Sequence, residues 1–142
     1  MINLLFDQVF EEFRKLKFKQ DQNKLIKLVS RLPPEDINKR NRNRDTVLIK
    51  ASRYSYTEIV KLLLEKEGIN VNIQNVFGNT ALIRTSRHGC AEIVKLLLEH
   101  KDIDVNIHNI YGNTALTYTP YCHRIEIVKL FENYNSSKKI DL

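Results

Sequence analysis

The sequence predicts an all-helical (all-α) protein, a solenoid of stacked helix-turn-helix units with polar β-turns at their tips. Thr46, Thr80 and Thr114 stand 34 residues apart, and Glu58, Glu92 and Glu126 keep the same step, each followed by Ile-Val-Lys-Leu. A period of about 20 to 50 residues marks an array in which each supersecondary unit leans on the next. Within each period the apolar residues recur at helical spacing, as in Ile59, Val60 and Leu63.

Composition sets the class. The chain has 142 residues, 42% hydrophobic and 28% charged, which is one domain of a globular protein. No apolar run reaches the roughly 18 residues of a membrane span, and Asp7, Glu11 and Glu12 interrupt the first thirteen residues where a secretory signal would be uncharged. The expected location is therefore intracellular: the cytoplasm, a host's if the source is a virus, with the nucleus as alternative. Two cysteines are too few for a disulfide scaffold. A net charge of +6 and a pI near 9.3 favour acidic partners through long-range attraction. Heavy use of Asn, Ile and Lys points to an AT-rich coding genome.

Taken in order, residues 1–36 read as a degenerate capping unit. Leu5, Val9, Phe13 and Leu16, with Phe6 and Phe10 alongside, form one face of a helix over Met1 to Phe18. Asn23 to Arg31 is a second helix in register with Thr57 to Glu65, stopped by Pro33 and Pro34. Three units follow, over 37–70, 71–104 and 105–134, the last serving as the C-terminal cap. Each opens on a polar turn (Asn41 to Asp45, Asn75 to Asn79, Asn109 to Asn113). Gly78 and Gly112 permit positive φ in two of these turns, and Arg44 stands in the first. Thr46, Thr80 or Thr114 then caps a short helix of about two turns. A break near Ser55, Gly89 or His123 precedes the longer helix, whose Ile-Val-Leu stripe faces the core. Leu48, Leu82 and Leu116 pack against neighbouring units.

The third unit carries the marks of an end. Leu64 and Leu98 become Glu132, and Pro120 falls inside the expected short helix. Residues 135–142 read as a frayed tail.

On these residues the chain resembles the ankyrin repeats, with units of about 33 residues and a Thr-Pro-Leu-His-x-Ala signature. The signature stands here as Thr46-Val47-Leu48-Ile49-Lys50-Ala51, Thr80-Ala81-Leu82-Ile83-Arg84-Thr85 and Thr114-Ala115-Leu116-Thr117-Tyr118-Thr119, and Val-Asn stands at Val71-Asn72 and Val105-Asn106. Its Pro and His are replaced in all three, so the resemblance implies the fold with lower rigidity. Composition and the extra residue per unit look like ankyrin proteins of large DNA viruses or AT-rich intracellular microbes.

The resemblance implies protein binding through the turn tips and the short-helix face, which together line a concave groove. Position by position, this selects the tip residues Arg42, Val76 and Ile110 with Asn43, Phe77 and Tyr111. In the groove it selects Lys50, Arg84 and Tyr118, then Arg53, Arg87 and Tyr121, with Tyr54, His88 and Cys122 beside them. Tyr and Arg dominate interface hot spots. The plain alternative is a solvated surface with scattered aromatics. The expected protein is a non-enzymatic monomer holding an unidentified protein partner, acidic in character, with no cofactor and no membrane.

Other constellations carry less. Lys39 to Arg44 is the densest basic run and gives the second reading, a nuclear-targeting or nucleic-acid contact. His88, Cys90, Cys122 and His123 have zinc-ligand chemistry, but neighbouring units are offset by about 10 Å and the ligands would have to converge within about 2.3 Å of one point. The same offset argues against a Cys90–Cys122 disulfide. No phosphate-cradling loop, nucleophile elbow or metalloprotease helix is present. Glu58, Glu92 and Glu126 suit the positive helix N-terminus and read as structural. Asn72 and Asn106 resemble the turn asparagines that oxygen-sensing hydroxylases modify in this family.

Overall fold

The computed structural model describes residues 4–16 and 22–140. Helix α1 spans Leu4–Lys15, α2 Asn23–Ser30, α3 Val47–Arg53, α4 Thr57–Leu64, α5 Ala81–His88, α6 Ala91–Leu98 and α7 Arg124–Ile140, with a single 3-10 turn at Tyr121–His123 before α7. No strand occurs among the described residues. The ends expected for the first helix, Met1 and Lys17 to Phe18, lie outside them.

The stacking follows from the apolar stripes. The first helices of successive units, α3 and α5, pack on each other, and the second helices α2, α4, α6 and α7 pack in succession; the expected difference in length does not appear before α7, since α4 and α6 have 8 residues, as α5 has. Ile59, Val60, Leu63, Ile93, Val94, Leu97 and Ile127 have no exposed surface. Burying one such side chain contributes about 1.5–3 kcal/mol, and none of these helices could do so alone. The open end of α2 is closed by the next unit, since the Lys66 ammonium donates to the carbonyls of Ser30 (3.1 Å) and Leu32 (3.2 Å). Lys61 pairs with Glu58 (3.1 Å) on its own helix and Glu92 (3.5 Å) on the next, so these carboxylates tie the second helices together.

Helix α1 covers the first unit with aromatics. Phe6, Phe10 and Phe13 are buried, and the Phe13 ring stacks on Tyr56 (6.0 Å between centroids) and Tyr54 (6.2 Å). Tyr54, expected in the groove row, thus belongs partly to this packing.

The capping threonines act as their residue type dictates. Thr46 Oγ1 accepts from Ile49 N (3.1 Å) and Thr80 Oγ1 from Ile83 N (3.2 Å), each worth about 1 kcal/mol. Thr114 Oγ1 accepts from Thr117 N (3.3 Å), yet the helix expected there does not form. Tyr118 N reaches Thr114 O, Thr119 N reaches Leu116 O, and Pro120 then turns extended (ψ 149°). Proline has no N–H to continue the ladder and its ring clashes with the preceding turn. A second correction concerns the tail: residues 135–140 are helical, continuing α7. Tyr134 packs against the core, Ser137 Oγ donates to its carbonyl (2.8 Å) and the Lys138 ammonium lies 5.6 Å from its ring.

Candidate functional site

The tips are built by an asparagine at a fixed place. Asn41, Asn75 and Asn109 each accept, through Oδ1, the backbone N–H groups two and four residues on, which closes the turn. Their amide groups then reach backwards along the stack: Asn75 Nδ2 donates to Asp45 Oδ1 (2.8 Å) and Asn109 Nδ2 to Asn79 Oδ1 (3.0 Å). Backbone bonds run in parallel, Val76 N to Asn43 O and Ile110 N to Phe77 O, both 3.1 Å. This ladder went unread in the sequence, although the 34-residue recurrence of those three asparagines is its signal.

Pinned by that ladder, the tip side chains point outward. Val76 is 45% exposed, Phe77 47%, Ile110 63% and Tyr111 64%, and Arg42 is exposed as well. The turn demands left-handed backbone at Arg44 (φ 59°), Gly78 (φ 71°) and Gly112 (φ 76°). Only the glycines adopt it without a Cβ penalty of about 1–2 kcal/mol.

In the groove, Arg53 and Arg87 are exposed and Arg84 is half-buried. The Arg87 guanidinium lies over the Tyr118 ring (4.5 Å) and that of Arg53 over Tyr54 (5.6 Å). Burial first, and Arg53 second, hold the Arg84 guanidinium below its ordinary value, against an opposing pull from Asp45. His88 is lowered by burial and then by Arg84, Arg53 and Arg87. Lys50 differs from its row, since it pairs with Asp45 at 3.6 Å and is mostly covered. Tyr121, at 94% exposure, stands on the 3-10 turn. A cleft of about 720 Å³ opens beside this groove, with Phe6, Phe10 and Tyr54 as apolar walls and Arg14, Arg40 and Arg42 at its rim.

The remaining candidates disperse. Lys39 pairs with Asp36, Arg40 and Arg42 border the cleft, and Arg44 takes the left-handed backbone of the turn; all four are exposed. Cys90 Sγ meets Ser55 Oγ of the preceding unit, while the His123 ring lies against Gly89, where a Cβ would sit 2.2 Å from it. Cys90 and Cys122 are free thiols, and no group of three metal-ligating side chains forms among the described residues. The Asn72 side chain is engaged on both sides, donating to Asp102 O (2.8 Å) and accepting from Asp104 N (2.9 Å), whereas Asn106 is exposed. No helix among the described residues is long and apolar enough to cross a membrane.

A family model described as ankyrin repeats, three copies, matches residues 18–109 and 67–141. The crystal structure of EF0377, an ankyrin repeat protein, superposes with a TM-score of 0.69 at 34% identity, covering 82% of this chain. The match spans 60% of EF0377's own length. No curated protein matches the sequence.

Proposed function

The chain belongs to the ankyrin-repeat family, and on that premise we propose that it is a non-enzymatic, monomeric module that binds a partner protein through its tips and groove. The observation that carries this reading is the outward row of Val76, Phe77, Ile110 and Tyr111. Their backbones are fixed by the asparagine ladder, so large apolar side chains are offered to solvent on rigid supports, at little ordering cost to a binder. Arg53, Arg84, Arg87, Tyr118 and Tyr121 extend the surface into the groove, and Arg42 flanks it. We divide the chain into a capping unit over 1–36 and repeats over 37–70, 71–104 and 105–134. Residues 135–140 belong to the last helix, and 141–142 lie outside the described residues. The Asn-, Ile- and Lys-rich composition supports a viral or AT-rich microbial source, and with it a host-cell cytoplasmic setting.

The alternative, a nucleic-acid contact through Lys39 to Arg44, has weaker support because that run is divided between an ion pair, a cleft rim and a turn. The test is affinity capture with wild-type protein and with the Phe77→Ser, Tyr111→Ser, Tyr118→Ala, Tyr121→Ala variant. The variant is expected to unfold within about 1 kcal/mol of wild type and to lose the captured partner. Retention of the same partner by a folded variant overturns the assignment.

A further inference from the structure

Resting on the interaction-module reading, we propose that Arg53, Arg84 and Arg87 form a carboxylate-receiving site in the groove, and that the bound segment of the partner is acidic, with clustered Asp or Glu side chains.

Three guanidinium groups gather across two adjacent units, and among the described residues none of them is in an ion pair. Asp45, the carboxylate that acts on Arg84, is already taken: one oxygen accepts from the Asn75 amide at 2.8 Å and the other faces Lys50 at 3.6 Å. The Arg84 Nε is buried and has no hydrogen-bond partner. Buried donors are satisfied in nearly all folded proteins, so with its Nε unpaired and two like charges acting on it Arg84 is a poorly compensated cation, whose outer N–H groups a carboxylate would serve.

The two outer guanidiniums are also pre-ordered. The Arg87 guanidinium sits over the Tyr118 ring at 4.5 Å and that of Arg53 over the Tyr54 ring at 5.6 Å. A cation–π contact uses no N–H hydrogen bond of the guanidinium, and its N–H groups match a carboxylate in two-point geometry. A polynucleotide would need cations continued along its backbone; towards the last unit the rows run on from the arginines into Tyr118 and Tyr121, and cations continue only on the other side, at Lys50, Arg40 and Arg42. A short acidic peptide needs only the arginine cluster, with its flanking side chains laid on the tyrosines.

The probe is a fluorescein-labelled hexaglutamate peptide, titrated at low salt against wild type, the Arg53→Gln/Arg87→Gln variant and a Lys95→Gln/Lys101→Gln variant. Both variants lose two charges, and all four residues are exposed, which protects the fold. Saturable binding is expected, weakened about tenfold or more in the arginine variant, the scale of one charge-assisted hydrogen bond, and about twofold or less in the lysine variant. Equal weakening in both variants, or no saturable binding, overturns the proposal. Tighter binding of an oligothymidine with the same arginine dependence overturns it in favour of nucleic acid. Failure here leaves the aromatic capture experiment standing, and failure of that experiment leaves this titration to be judged by itself.

Discussion

Residues 81–98 and 115–132 carry one pattern a period apart and reach different ends. The first folds into two full helices, with Leu82 and Val94 buried and Leu98 only 7% exposed. In the second, Leu116 and Val128 are half-buried, Glu132 is exposed and the short helix shrinks to a turn. Part of the difference is Pro120. The rest is neighbours: α5 and α6 are covered on both sides, whereas the last unit is covered on one. A repeat is thus not a fixed quantity of stability. The same leucine or glycine gains its weight from what the next unit lays upon it.

The sharpest test of that contrast is deletion of matched leucines. Leu82→Ala is expected to cost about 3 kcal/mol in denaturant unfolding and Leu116→Ala about 1 kcal/mol; equal costs would break the comparison. Matched glycines come next. A Cβ on Gly78 would lie 2.9 Å from both Asn109 Cα and Ile110 N, while one on Gly112 meets nothing within 4 Å. Gly78→Ala should therefore cost about 2 kcal/mol, and Gly112→Ala only the left-handed backbone term of about 1 kcal/mol. The smallest effect is expected from Pro120→Ala, which restores an N–H to the third short helix. We expect a gain of about 1 kcal/mol and increased helical circular dichroism. No added helix would mean that packing on one side alone, and not the proline, unmakes this element.

Much of the fold was written in the sequence because its determinants are local and recur. Thr46 and Thr80 cap helices, and Gly78 and Gly112 mark the turns, as their chemistry requires. The errors fall where context replaces local rule. Asn135 to Lys139 is rich in poor helix formers, and only the anchoring of Tyr134 against the core lets α7 continue through it. Thr114 caps a helix that Pro120 cancels. Of the candidate site, the residue types were legible and their company was not. Spacing aligned Arg53 with Arg87, but it could not tell that Lys50 spends its charge on Asp45 while Arg84 is left without an acceptor. Tyr54 likewise stands in the groove row by spacing, while its ring stacks on Phe13 and Tyr56.

The asparagine-amide and backbone bonds that join one turn tip to the next run one way, each later unit giving its N–H groups to the unit before it, and at the edge of the turns the Gln74 amide reaches forward, to His108 O. The stack is therefore polar, as a filament is, with a giving edge at the first tip and a receiving edge at the last. Anything that lengthened it in register at the far edge would have to arrive with donors foremost, and a mirror-related approach would set acceptor against acceptor.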